Sequence, residues 1–257
     1  MVDSENILEL KPPAADKRVR YGAAEQHLID VRLPAAKKPP GAVMNIHGGY
    51  WRNHYDLAHA AHFCGALTKA GFVTFNIEYR RIGDDGGTWR GTFEDIRNAY
   101  AYIRQHAAEF GVDGKSIIVM GHSAGGQLAF ALAGHESSVT CAISLAGVLD
   151  LYRAFDLHLS NNAVVEFLGG TPQQVPEHYR EASPTSLPIT ARQVVIVGSA
   201  DDVVPPQISR DYVAQKRAAS EDVQLLEIPQ ADHFDLIDPR SSAFTKVLET
   251  VKEESAG

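Results

Sequence analysis

The chain has 257 residues, of which 44% are hydrophobic and 22% are charged, so its composition is that of a globular protein and excludes a disordered one. Its formal net charge of −8, from 24 basic and 32 acidic residues, disfavours nucleic acid and anionic membranes as partners. The N-terminus lacks a signal-peptide pattern and no apolar stretch could span a bilayer, which together predict a cytoplasmic protein.

The N-terminal part of the chain contains the first of two glycine motifs. Residues 1–19 are charged and contain proline, which predicts a loose N-terminal arm before a single domain over residues 20–257. A pair of strands is expected between residues 21 and 34, and a short buried strand at residues 42–46. The next residues, 47–51, have the sequence His-Gly-Gly-Tyr-Trp. Such a turn supplies free backbone N–H groups that can face the oxygen made negative when a carbonyl is attacked.

The middle of the chain alternates between two hydrophobic periods. Helices are expected at residues 57–70 and 92–109, and strands at residues 72–79, 116–120 and 139–145. This alternation predicts an α/β fold with a mostly parallel central sheet and helices on both faces.

The second glycine motif is a G-x-S-x-G pattern with Ser123 at its centre. It lies between the strand expected at residues 116–120 and a helix-like run at residues 126–134, which is the setting of a nucleophile elbow. A serine exposed in such a turn attacks a carbonyl when a histidine takes its proton. A dinucleotide-binding turn would need glycine at this position, so the pattern favours a nucleophile.

Two later strands are followed by an acid and a base. The strand expected at residues 193–197 precedes Asp201 and Asp202, and the strand expected at residues 223–228 precedes His233. Carboxyl ends of parallel strands form the edge where α/β proteins place their sites. The chain therefore offers Ser123, then Asp201 or Asp202, then His233.

The sequence predicts which residues line the substrate pocket and which segment forms a lid over it. Tyr50, Trp51, Trp89 and His122 are expected to line it, with packing around the glycine turn as the alternative for the aromatic residues. The segment 150–192 is long and apolar for a connection between strands, which predicts a lid-like insert or a pocket wall. An ordinary crossover helix with turns is the alternative for this segment.

A metal centre is the weaker interpretation of three nearby histidines. His54, His59 and His62 lie close in sequence, but their spacing fits no zinc signature. Neither a metal ion nor another cofactor is therefore expected.

Both glycine motifs and the order Ser, Asp, His resemble the α/β-hydrolases, over roughly residues 20–250. Within that superfamily the chain is similar to serine esterases with an H-G-G motif, and its H-G-G-Y-W stretch is also similar to that of kynurenine formamidases. The resemblance implies that Ser123 is the nucleophile and His233 the base. It favours Asp201 as the acid, because a Val-Pro pair follows closely.

The resemblance also implies where an oxyanion binds. The donors would be the N–H groups of Ala124 and Gly49, together with that of Gly48 or Tyr50. The choice between Gly48 and Tyr50 stays open, because Tyr50 stands where many lipases of this branch have a third glycine.

The resemblance implies a cofactor-independent serine hydrolase that cleaves small carboxylic esters through an acyl-enzyme. Hydrolysis of N-formylkynurenine is the alternative reaction, and a non-catalytic homologue that binds small molecules is the alternative of another class. Ser123, an aspartate and His233 are all present, which favours catalysis. The expected partner is a small-molecule ester or amide, and a homodimer is compatible with the sequence.

Overall fold

The computed structural model describes residues 4–36 and 38–256. Within these residues the chain forms one eight-stranded sheet in the order β1-β2-β4-β3-β5-β6-β7-β8. The strands are β1 (Lys17–Arg20), β2 (Leu28–Arg32), β3 (Ala42–Ile46), β4 (Val73–Ile77), β5 (Ile117–His122), β6 (Cys141–Leu145), β7 (Arg192–Gly198) and β8 (Val223–Ile228). The first two strands pair antiparallel with their neighbours, and all later pairs are parallel.

Helices cover both faces of this sheet, as the sequence predicts. They are α1 (Ala61–Lys69), α2 (Trp89–His106), α3 (Ala124–His135), α4 (Leu151–Asp156), α5 (Leu159–Leu168), α6 (Pro176–Ala182), α7 (Pro206–Ala218) and α8 (Ser242–Glu254). Short 3-10 helices lie at Ser4–Leu8, Leu57–Ala60, Ala107–Phe110 and Pro184–Ser186. In the described residues no helix has both the length and the apolarity that crossing a bilayer requires.

Alternate residues of the central strands supply two separate cores. Met44 of β3 packs in the core under α2 and α3, whereas Val43 packs in the core under α1 and α8. This follows from the two-residue period of a strand, whose successive side chains point to opposite faces. Every residue of β3, β4, β5 and β6 is buried, as expected for parallel strands covered on both sides.

The N-terminal segment is more ordered than the sequence predicts. The expected arm boundary after residue 19 falls inside β1, and the expected strand pair begins four residues early, at Lys17. Arg18 donates two hydrogen bonds to Asp30 across the pair, at 2.6 and 3.0 Å. The N–H of Asp16 donates to the carbonyl of Val31, so the segment is held to the edge of the sheet before the predicted domain begins.

Candidate active site

Ser123 lies in a sharp turn between β5 and α3. Its φ of 56° and ψ of −121° lie in a region that residues other than glycine rarely adopt. Its N–H donates to the carbonyl of Leu145 at 2.8 Å, and its own carbonyl accepts from Gly126 at 2.9 Å. The neighbouring strand and the first turn of α3 therefore hold the strained backbone in place.

Glycine is required on both sides of this turn. A Cβ on Gly121 would lie 2.1 Å from the carbonyl oxygen of Gly125. A Cβ on Gly125 would lie 2.0 Å from the carbonyl oxygen of Ile46. Both positions are inside the contact distance of real atoms, so close packing of backbone on backbone explains the G-x-S-x-G pattern.

His233 and Asp201 meet at the carboxyl edge of the sheet. Nδ1 of His233 lies 2.8 Å from Oδ2 of Asp201, and both residues are buried. The other carboxylate oxygen, Oδ1, accepts the N–H groups of Val203 and Val204 at 2.9 and 2.8 Å. Because the backbone holds Oδ1, Oδ2 is directed at the imidazole, whose Nε2 then keeps its lone pair. Asp202 is exposed.

Two further histidines flank Ser123. Nε2 of His122 donates to the carbonyl oxygen of His233 at 2.9 Å, and the ring of His59 lies 5.5 Å from that of His122. Burial, reinforced by His233 and His59, holds the pKa of His122 well below its usual range. Burial, reinforced by His47 and His233, lowers the pKa of His59 to about 3. Both rings are therefore neutral at physiological pH.

We expect His59 to make the folded protein sensitive to acid. In the unfolded state His59 takes a proton below its ordinary pKa of 6.5. In the folded state its pKa is about 3, so the ring stays neutral until the pH falls near that value. Stability therefore falls as pH decreases through that window, by up to about 1.4 kcal/mol per pH unit. Urea unfolding between about pH 7 and pH 4 should show a shallower pH dependence for His59→Gln. His54→Gln, at an exposed position, is the control; equal slopes for His59→Gln and the unmodified protein would contradict the expectation.

The glycine turn at residues 47–51 lies against the nucleophile elbow. A Cβ on Gly48 would lie only 3.1 Å from the Cβ of Ser123. Gly49 and Tyr50 have positive φ angles of 112° and 48°, which fold the turn back on itself. Among the described residues, no acceptor takes the N–H groups of Gly48, Gly49 or Tyr50, or that of Ala124 at the start of α3. Such N–H groups can donate to an anionic oxygen beside Ser123.

His47, at the start of this turn, is held by the two residues that follow β4, Glu78 and Tyr79. Its Nε2 lies 3.1 Å from Oε1 of Glu78, and the hydroxyl of Tyr79 donates to its carbonyl at 2.8 Å. Burial raises the pKa of Glu78, but His47, Arg81 and the N–H of Tyr79 outweigh burial and leave this pKa below its usual range. The sequence gives Glu78 no role and offers Tyr79 only as an aromatic residue of the pocket or of the packing around the glycine turn, because no spacing rule connects the end of β4 to that turn.

A cavity of about 480 Å³ opens over Ser123 and His233. The residues that line it besides these two are Glu5, Leu8, Gly49, Tyr50, Tyr55, His59, His122, Ala200, Asp202, Val203, Asp232 and Phe234. Tyr50 and His122, which the sequence predicts to line the pocket, are among them. Tyr50 also donates its hydroxyl proton to the carbonyl of Val203 at 2.9 Å, which ties the glycine turn to the loop that carries Asp201.

The prediction that Trp51 and Trp89 line the pocket is wrong. Trp51 is 1% exposed, stacks on Phe167 at 4.7 Å and donates its Nε1 proton to Gln127 at 2.9 Å. Trp89 is 3% exposed and meets the same phenylalanine edge-on at 5.9 Å. Both indoles are core residues, because a buried partner satisfies the N–H of Trp51 and aromatic neighbours cover both rings.

The segment 150–192 packs outside the glycine turn and does not wall the cavity. No described residue of this segment is in the cavity lining. Phe167 covers Trp51, and Glu166 accepts from Arg52 at 3.2 Å. The apolar residues that suggest a lid are thus satisfied by core packing. The wall comes instead from the N-terminal 3-10 helix, through Glu5 and Leu8.

The three histidines considered as metal ligands lie in different environments. His59 lines the cavity, His54 is exposed, and Nε2 of His62 lies 3.5 Å from the carbonyl of Leu10. Over residues 4–36 and 38–256, no group of three histidine, cysteine or acidic side chains is arranged to hold a metal ion.

The sheet order and the sequence of elements around Ser123 define an α/β-hydrolase fold. A truncated carbohydrate esterase from gut microbiota has the same fold, with a TM-score of 0.82 and 22% identity, over 96% of this chain and 100% of that chain. The butyrate-bound esterase Est2 of Thermogutta terrifontis matches with a TM-score of 0.75 and 24% identity, over 94% of this chain and 93% of that chain.

The sequence profile of the BD-FAE family matches residues 29–215, and the chain belongs to this family. Esterase LipC of Mycobacterium tuberculosis (strain ATCC 25618 / H37Rv) is 32% identical over 247 residues, which cover 86% of this chain and 60% of LipC. The chain thus spans less than two thirds of the length of this relative.

Proposed function

We propose that the protein is a serine esterase that hydrolyses small carboxylic esters through an acyl-enzyme. One observation carries this proposal: Ser123, His233 and two residues of the glycine turn whose N–H groups are unpaired, Gly49 and Tyr50, line one cavity, and Asp201 is hydrogen-bonded to His233. The names of the relatives support the same reaction class, since LipC and the two structural neighbours are all called esterases.

In the proposed mechanism Oγ of Ser123 attacks the ester carbonyl carbon while Nε2 of His233 takes the hydroxyl proton. Asp201 holds the imidazole in the working tautomer and stabilises the imidazolium. The N–H groups of Ala124 and of the glycine turn donate to the oxyanion. His233 then gives its proton to the leaving alcohol oxygen. Water attacks the acyl-enzyme by the same steps and releases the acid.

The size of the cavity favours small substrates. About 480 Å³ is near the lower end of the range for small-molecule sites. Tyr50 and Val203, which both line the cavity, are joined by a hydrogen bond, which favours a site too small for a long acyl chain.

A substrate panel tests this proposal. We expect kcat/KM for p-nitrophenyl acetate and butyrate to exceed that for p-nitrophenyl palmitate and for N-formylkynurenine, with no interfacial activation. Trp51, the residue that gives H-G-G-Y-W its likeness to the formamidases, is buried and absent from the cavity lining, so it cannot select a formamide by contact. A tenfold advantage of the formamide over every ester, about 1.4 kcal/mol of transition-state preference, would make the protein an arylformamidase instead.

The remaining expectations about partners come from the sequence. The net charge of −8 disfavours nucleic acid, and the small ester is the partner that the cavity supports. The cytoplasmic location and a homodimer stay predictions.

A further inference from the structure

The cavity over Ser123 is acidic. Glu5, Asp202 and Asp232 line it, whereas its described lining holds no lysine or arginine. The carboxylates come from three segments: the N-terminal 3-10 helix, the loop after β7 and the loop after β8. A bound molecule therefore meets negative charge on more than one side. The imidazoles of His59 and His122 do not offset this charge, because their lowered pKa values keep them neutral.

The other polar group beside the nucleophile is also an acceptor. His122 is 2% exposed and lines the cavity, and its Nδ1 has no hydrogen-bond partner among the described residues. Because Nε2 donates to the carbonyl of His233, Nδ1 of this neutral ring carries a lone pair. Tyr50, Tyr55 and Phe234 supply aromatic faces in the same lining. Carboxylates and aromatic rings together suit a cation, and the neutral His122 ring beside them adds no positive charge.

Two of the three acids are chain neighbours of the His233–Asp201 pair. In acyl transfer the histidine that protonates the leaving oxygen must be next to it, so the alcohol part of an ester lies by His233. Asp232 and Phe234 flank His233 in the chain, and Asp202 follows the aspartate that His233 contacts. The N–H groups that would hold the carbonyl oxygen belong to other segments, the glycine turn and the start of α3.

We propose that the enzyme prefers esters whose alcohol carries an ammonium group over neutral esters of the same shape, and rejects esters whose alcohol carries a carboxylate. This inference rests on the esterase activity proposed above. A unit charge about 7 Å from one carboxylate in a water-filled site gains about threefold in binding, so two or three carboxylates give about tenfold. Added salt screens such interactions, because the Debye length falls to a few ångströms.

A matched pair of esters tests the preference. Acetylcholine and 3,3-dimethylbutyl acetate have the same shape and differ by one positive charge. At low ionic strength we expect kcat/KM to be about tenfold higher for the cation, mainly through KM, and the ratio to approach one at about 0.5 M NaCl. The acetate ester of 4-hydroxybutyrate should be the poorest substrate of the three.

Charge-neutralising variants locate the effect. Asp202→Asn and Glu5→Gln should each lower the cation-to-neutral ratio by about threefold. Glu109→Gln is the matched control, because it makes the same change in net charge at an exposed position in the 3-10 helix after α2, outside the cavity lining. It should keep the ratio of the unmodified protein. Equal turnover of both esters at low salt, or a ratio that neither cavity variant changes, would overturn this inference and leave the esterase intact. Turnover of p-nitrophenyl acetate with no hydrolysis of either alkyl ester would overturn this inference alone, whereas no hydrolysis of any of the three esters would overturn the proposed function as well.

Discussion

Replacing Ser123 with alanine should lower kcat for p-nitrophenyl acetate by about four orders of magnitude or more. The variant keeps the cavity and the unpaired N–H groups but has no oxygen to attack the carbonyl. Alanine has the smaller side chain, so the strained turn that holds residue 123 is preserved. The measurement is steady-state turnover, with thermal unfolding to confirm that the variant is folded.

Covalent labelling gives an independent view of the same residue. A sulfonyl fluoride or an organophosphate should modify Ser123 alone, because only a serine with an adjacent base reacts at a useful rate. Ser116→Ala, at an exposed serine just before β5, is the matched control and should keep both turnover and labelling. Labelling at another serine, or near-normal turnover of Ser123→Ala, would contradict the proposed mechanism.

The sequence predicted the fold because its signals were local. Each buried strand is a short apolar run, and the helices between them carry a helical period. The position of Ser123 was predictable for the same reason, since the glycines that permit the turn are its near neighbours. The order of the acid and the histidine followed from the strands that precede them.

The side chains around the cavity were less predictable. Trp51 follows two cavity-lining residues, Gly49 and Tyr50, yet its indole points into the core, because Phe167, far along the chain, stacks on it. Glu5 lies in a segment whose composition gave no sign that it would reach the cavity. Such contacts depend on how distant segments pack, and one sequence carries no local signal for them.

Asp201 and Asp202 show the same limit within two adjacent residues. Both follow β7, and the sequence alone leaves either able to serve as the acid. The structure favours Asp201, because the N–H groups of Val203 and Val204 hold its Oδ1 while its Oδ2 lies 2.8 Å from Nδ1 of His233. The choice between Asp201 and Asp202 can therefore be tested by the same substitution, aspartate to asparagine, at each of the two positions.

Asp201→Asn should lower kcat by about four orders of magnitude, by analogy with the same change in other triads. The amide oxygen can still accept from Val203 and Val204, but the amide nitrogen then faces Nδ1 of His233 and donates to it. Nε2 therefore carries the proton and can no longer act as the base. Asp202→Asn removes the same charge one residue away and should cost far less with a neutral ester, because the exposed Asp202 does not contact the imidazole. Steady-state kinetics on both variants, checked for folding by thermal unfolding, decide the matter: the reverse ranking would make Asp202 the acid.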